Sequence, residues 1–493
     1  MSTREIGREI GSKVSAMKRC LLLALGAVVL ALNASACSSS AASATDDAPP
    51  PDPRLAGAYR VERNGWIFVH LQGAPDALGF QHGYLLAPEI GDLLRVAGPL
   101  QKELSRKDWA FYRKAAEEIL WPKIEPEYQQ ELDGIVAGAT AAGAKLDRWD
   151  IVALNAIEEL PGYYVPWLDK QHGKAPSVKA PERCSAFVAT GAYTRDHRIV
   201  IGHNAWTDYV IGSRWNIMFD LVPAKGHRML MDGLPGVIVS DDDFTVNSNG
   251  LMVTETTISR FEGFDPNGTP EFMRARKAMQ YANSIDDYVK IMLDQNNGGY
   301  ANDWLIGDNK TGEVARFELG LKNHSVERTT DGYFVGSNFP VGKKLIAEET
   351  HFNPSNAGSS PNARRARWEQ VMAESKGQID AEIGKRLESD AYDIIAKKDG
   401  PSERSLCGTV DNSPRGIPDW DWPAYYPGGT VQAKVATAAM AEKMQLWAAM
   451  GHPCAPDFIA TDFLARQPQF GWARGLLRDM KTQPWTEFTS GMK

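Results

Sequence analysis

The stretch from residue 184 to residue 257 constrains the fold more than any other. Runs at 185–192, 198–203, 214–223, 227–231, 235–240, 244–248 and 250–257 are rich in apolar and strand-forming residues and are separated by turn signals. They read as antiparallel strands. Helices are predicted at 270–282 and 285–294, further strands at 303–307, 313–319 and 332–337, and helices again at 363–374, 379–397 and 436–450. Strands followed by covering helices make an α+β chain of sheet layers under helices.

The residues before this stretch have a different character. Residues 65–71 have the apolar content of a buried strand, and regions opening at Gly79 and spanning 100–120, 131–144 and 149–160 carry helical spacing. Segment 55–160 is therefore mostly α, and His82 within it reads as a packed or capping residue. Across 161–183, Pro161, Pro166, Pro176 and Pro181 with Gly162 and Gly173 are expected to exclude regular structure. Lys170, Lys174, Lys179 and Arg183 make the same segment basic, as suits a nicked surface loop or an ordinary linker.

Cys184 sits where that loop gives way to the first strand run, and His203-Asn204-Ala205-Trp206 returns beside it at the end of the second. A thiol at a new chain terminus would have its own α-amine as base, with an ordinary pKa of about 7.7–8.0. Register provides a geometric test. A turn centred near residue 194 places His203 opposite Ser185, whereas a centre near 196 leaves it roughly 13 Å away. Without such neighbours, Cys184 would read as an inert core thiol.

The first residues carry an address rather than a fold. Lys13, Lys18 and Arg19 precede an apolar run over 20–32 and then Ala34-Ser35-Ala36, so residues 1–36 read as an export signal. Cleavage after Ala36 leaves Cys37 first, which fits a lipid-anchored envelope protein or a simply secreted one, and residues 37–54 read as a disordered tether. Once Cys20 has left and Cys37 is lipidated, Cys407 and Cys454 remain free to pair in an oxidising compartment, with Cys184 the odd thiol. The net charge of -8 excludes a nucleic-acid surface. Neither a Gly-x-Ser-x-Gly elbow nor a zinc-protease, Walker or Cys-x-x-Cys pattern is present, so no metal or organic cofactor is expected. Asp241-Asp242-Asp243 reads as a solvated turn, and Trp420-Asp421-Trp422-Pro423 as a packed loop.

Taken together, several motifs resemble one family. They are Cys184-Ser-Ala-Phe187, Gly202 to Tyr209, Leu234-Pro-Gly236, Asn249 to Thr257, Gly299 to Trp304, Ser337-Asn338-Phe339 with Arg364-Arg365, and Gly428 to Val435. In order and spacing they resemble the phospholipase B-like proteins. These are N-terminal-nucleophile hydrolases similar to the acyl-CoA:6-aminopenicillanate acyltransferase and penicillin V acylase group. The resemblance implies a four-layer αββα sandwich with antiparallel sheets over 184–493, preceded by a mostly helical pro-region over 55–183 that ends in a cleavable loop. It implies autocleavage before Cys184 and nucleophilic attack by that residue, with the two resulting chains staying associated. His203 and Trp206 match the family's histidine-tryptophan pair, Asn302 matches its oxyanion asparagine, and Thr257 falls where the acylases carry another site asparagine.

The expected function is an exported, self-processed hydrolase of acyl amides or small peptidic amides that works through an acyl-thioester. Hydrolysis of phospholipid acyl esters is the alternative within the same fold. A non-catalytic envelope lipoprotein that uses the fold for binding is the alternative outside it.

Overall fold

The computed structural model describes residues 52–178, 184–240 and 244–493. The export signal, most of the tether, the end of the basic loop at 179–183, and Asp241-Asp242-Asp243 lie outside the described residues. None of the described helices is long and apolar enough to cross a membrane.

Among the described residues, strands β1 (Tyr59–Arg63) and β2 (Trp66–Gly73) come before the α-helices. After Cys184 come β3 (Ser185–Thr190), β4 (Val200–Asp208), β5 (Ile217–Pro223), β6 (Met229–Gly233), β7 (Phe244–Asn247) and β8 (Leu251–Thr257). The next are β9 (Asn302–Asp308), β10 (Glu313–Leu319), β11 (His324–Thr329) and β12 (Gly332–Gly336). A small hairpin, β13 (Tyr392–Asp393) and β14 (Lys398–Asp399), precedes β15 (Gly428–Thr437), β16 (Gln445–Met450) and β17 (Thr486–Thr489).

Two sheets result. One has nine strands in the order β1-β2-β5-β6-β7-β8-β9-β10-β11, the other six in the order β12-β3-β4-β15-β16-β17. Every pairing is antiparallel except β2 with β5. The sheets face each other through β3 and β4 against β8 and β9. Helices Ser360–Glu374 and Ala381–Leu387 cover the six-stranded sheet, and Phe187, Trp368, Ile383 and Val435 pack between them. Helices Glu271–Tyr281 and Ile285–Leu293 cover the other sheet. The α+β, αββα layering expected from the resemblance is the layering found.

The segment before Cys184 is mostly helical, but it does not stand apart from the sandwich. Its strands β1 and β2 form one end of the nine-stranded sheet. Its helices Pro75–Leu85 and Pro126–Ala141 touch backbone to backbone, because Gly79, Gly83, Gly134 and Gly138 lie in the interface.

Four expectations need correcting. Residues 161–183 are not irregular throughout: a π-helical turn, Leu160–Tyr164, runs into a helix, Val165–Gln171. Pro161 and Pro166 sit at the starts of these two elements. Residues 235–240 form a turn rather than a strand; Asn155 donates to Gly236 O and accepts from Ile238 N, and His82 Nε2 accepts from Gly236 N. Helix 379–397 shortens to Ala381–Leu387 and gives way to the β13–β14 hairpin. The helix expected over 436–450 is the end of β15, a short turn Ala438–Ala441, and β16.

Candidate active site

Cys184 immediately precedes β3, is buried, and has a backbone φ of 85°, in the left-handed region that side chains rarely occupy. The β3–β4 pairing sets Ser185 opposite Asn204 and Ala186 opposite His203. That register is one residue from the expected Ser185–His203 pair, and the difference matters. Because side chains alternate along a strand, the observed register puts His203 on the face of Ala186 and hence of Cys184. The Cys184 Sγ, a ring nitrogen of His203 and a carboxylate oxygen of Glu255 all lie within 4.8 Å of one another.

Glu255 belongs to β8, in the opposite sheet, and is fully buried. Its Oε1 lies 4.0 Å from the Cys184 sulfur, at the outer reach of a thiol hydrogen bond, and accepts from the Tyr300 hydroxyl at 2.9 Å. Burial holds the His203 imidazole well below its ordinary pKa, and the Lys434 ammonium pushes the same way, so the ring is neutral at physiological pH. Lys434 is the β15 residue opposite His203, and its Nζ sits 3.0 Å from Asp232 Oδ2, with both groups sealed from solvent.

Thr257 lies two residues beyond Glu255 on the same strand, on the same face, and pairs across the ladder with Asn302 of β9. The Thr257 hydroxyl and both side-chain polar atoms of Asn302 are buried with no hydrogen-bond partner among the described residues. Buried polar groups are seldom left this way, and adjacent unsatisfied donors facing the nucleophile's sheet suit a developing oxyanion.

Arg364 ties the remaining members together. Fully buried, it donates to the Cys184 carbonyl at 2.5 Å, to Ser185 Oγ at 3.1 Å and to Asn338 Oδ1 at 2.8 Å. Asn338 in turn donates to the Thr257 carbonyl at 2.8 Å. The Trp206 ring lies 5.1 Å from the guanidinium, and its indole N–H donates to Leu406 O. Trp206 also meets Trp420 edge to face, 6.0 Å between ring centres. Trp420 is one wall of a cavity of about 350 Å3 that Trp422, Tyr426, Phe470 and Trp472 also line.

The structure thus brings Cys184 and His203 together on one face of the six-stranded sheet and sets Thr257 and Asn302 as a cross-strand pair in the facing sheet, while Trp206, three residues along β4 from His203, turns to the other face and meets the site through Arg364. Glu255, Tyr300, Asn338 and Arg364 complete it without having been given roles from sequence. Three of the motifs already contained Glu255, Tyr300, and Asn338 with Arg364; a charged residue inside the strand run 250–257 was the available signal. Cys184, His203 and Glu255 are also, among the described residues, the one set of side chains close enough to surround a metal ion. They come from distant parts of the chain, so no sequence spacing announces them. Cys407 and Cys454 form a disulfide, leaving Cys184 as the reduced cysteine among the described residues.

Comparison with known proteins agrees with the motifs. The sequence profile of the family described as Phospholipase B matches residues 101–323. A phospholipase B from Crotalus adamanteus is 24% identical over 76% of this chain and 76% of its own length. Phospholipase B-like 1 from Bos taurus is 27% identical over 52% of this chain and 50% of its own. An uncharacterised protein from Archaeoglobus fulgidus is 24% identical over 66% of this chain, and the match spans 58% of that relative's length. Among solved structures, a mutant conjugated bile acid hydrolase from Clostridium perfringens overlays on 54% of this chain and 88% of its own, at 12% identity and a TM-score of 0.32. In sequence, the chain is similar to phospholipase B and phospholipase B-like proteins.

Proposed function

We propose that the exported chain cleaves itself before Cys184 and then hydrolyses acyl amides with the Cys184 thiol as N-terminal nucleophile. The observation that carries this reading is the cluster at the head of β3: a buried thiol, a neutral imidazole and a carboxylate, opposite two unsatisfied donors. In the mature enzyme the α-amine of Cys184 takes the thiol proton as sulfur attacks the substrate carbonyl. Asn302 Nδ2 and the Thr257 hydroxyl stabilise the oxyanion, the amine leaves with the proton, and water hydrolyses the thioester.

Phospholipid acyl esters are the second reading, favoured by the names of the Crotalus and Bos relatives. The same thiol and donors serve either bond. A tether through lipidated Cys37, or secretion, completes the proposal, and the Cys407–Cys454 disulfide supports an oxidising compartment.

Intact-mass analysis and N-terminal sequencing of wild type beside Cys184→Ala test the mechanism. Wild type is expected to give fragments near 37–183 and 184–493, and the variant to stay whole. An uncleaved, active wild type would overturn the N-terminal-nucleophile reading, and cleavage persisting in the variant would assign the nick to another protease. A panel of acyl amides and lysophospholipids then decides the bond. Turnover of neither substrate would leave a binding module.

A further inference from the structure

Self-cleavage poses a problem that mature catalysis does not. In the precursor the nitrogen of Cys184 is an amide nitrogen, its lone pair delocalised, so the base that would serve the mature enzyme does not yet exist. Another group must take the thiol proton if sulfur is to attack the preceding carbonyl. His203 is a poor candidate: burial, and after it the Lys434 ammonium, hold its imidazole well below its ordinary pKa, so the ring resists taking up a proton.

We propose that Glu255 is the general base of maturation, receiving the Cys184 thiol proton when the peptide bond before Cys184 is broken. The inference rests on Cys184 being the nucleophile. Its geometric basis is the Glu255 Oε1 4.0 Å from Sγ, reached by no intervening side chain and fixed from the other side by the Tyr300 hydroxyl at 2.9 Å. Thr257 and Asn302, paired across the ladder on the same face as Glu255, are the donors we assign to the oxyanion. The positive φ at Cys184 adds backbone strain at the bond to be cut.

The step balances as an N-to-S acyl shift. The thiol proton passes to the Glu255 carboxylate while the sulfur lone pair bonds to the carbonyl carbon of residue 183, whose π electrons move to oxygen. As the tetrahedral species collapses, the C–N bond breaks and Glu255 returns the proton to the departing nitrogen of Cys184. Water then adds to the thioester and the C–S bond breaks. The products are a carboxylate at 183 and a free thiol and α-amine at 184, with the Glu255 carboxylate restored. A carboxylate beside sulfur disfavours a standing thiolate, so the proton moves during attack rather than before it. The freed amine then replaces Glu255 as the base for turnover.

The test follows pulse-labelled full-length chain made by cell-free translation, with maturation read on gels across pH. Wild type is expected to slow as pH falls and the carboxylate takes up a proton. Glu255→Gln is expected to mature about 100-fold or more slowly, as for loss of a general base, and to lose that acid limb. Glu255→Asp keeps the charge, drawn back by one methylene, and is expected to mature at an intermediate rate with the limb retained. A merely structural role would lower stability without removing the limb. Maturation of Glu255→Gln at the wild-type rate overturns the assignment, as do equal rates for the Gln and Asp variants. Should the Gln variant fail to fold, Tyr300→Phe decides, since it frees the carboxylate without removing it: several-fold slower maturation supports the proposal and an unchanged rate refutes it. Cleavage of Cys184→Ala, or none in wild type, instead defeats the underlying nucleophile reading.

Discussion

At the scale of single residues, burial decides the protonation of the buried histidines, and His82 is the clearest case. Its Nε2 accepts from Gly236 N at 2.8 Å, and full burial, aided by Arg276, pushes its imidazole from 6.5 down to about 3. The folded pKa lies below the unfolded one, so the unfolded chain takes up the proton first. The contribution to stability is therefore complete above pH 6.5 and is lost as pH falls from there toward 3. Replacing His82 with Gln, whose carbonyl can still accept from Gly236, removes that one proton from the linkage. Chemical denaturation between pH 6 and 4 is expected to give a stability slope about 1.4 kcal/mol per pH unit shallower in His82→Gln. Equal slopes would show that the ring is charged in the fold. A sequence signals such a residue only as a histidine among apolar neighbours, which is why His82 reads there as no more than packed. Arg364 was harder still to read: its four acceptors lie on Cys184, Ser185, Asn338 and Ser360, and only the fold brings them together.

At the scale of elements, the strands of the first half of the sandwich were legible because their apolar runs end in turns. The strand β15 was not. Its ten residues are buried on both faces apart from the last, and carry Gln432 and Lys434 inward, so no alternation marks it. The alanines that follow suggested a helix by propensity, and tertiary packing overrode them. The β3–β4 register was legible to within one residue, yet that residue decides which face His203 occupies. The contact between helices Pro75–Leu85 and Pro126–Ala141 was half legible, as a glycine- and alanine-rich segment. A methyl added at Gly138 would lie 2.0 Å from the Phe80 carbonyl, so the helices would have to part. Gly138→Ala is expected to lower stability by about 1–3 kcal/mol, seen as an earlier urea midpoint at unchanged m. Gly91→Ala is the control, since an added methyl there meets nothing within 4 Å. It should gain a few tenths to about 1 kcal/mol from helix propensity. Equal effects at the two positions would mean that the helix contact is not tight.

At the scale of the whole molecule, the segment before Cys184 is part of the sandwich rather than a removable leader. Strand β2 pairs in parallel with β5 from Ile67 opposite Ile217 to Gly73 opposite Pro223. Trp66, Phe68, Val69 and Leu71 on that strand are all but sealed from solvent, and exposing them would cost about 6–12 kcal/mol at ordinary transfer energies. Polar groups bridge the same boundary. Arg276 Nη2 lies 3.0 Å from Glu131 Oε2 with both side chains buried, and Glu159 accepts from Asn297 Nδ2 at 2.7 Å and from Phe272 N at 3.1 Å. Pulling the segments apart would break these pairs as well, which adds to the apolar penalty. Cutting the backbone before Cys184 removes none of these contacts. The two chains of matured protein are therefore expected to co-elute as one species in gel filtration and to appear as their summed mass in native mass spectrometry. They should part only where denaturant unfolds the sandwich, in a single transition. Release of the 37–183 fragment under native conditions would contradict this, and would mean that β1 and β2 leave the sheet once the chain is cut.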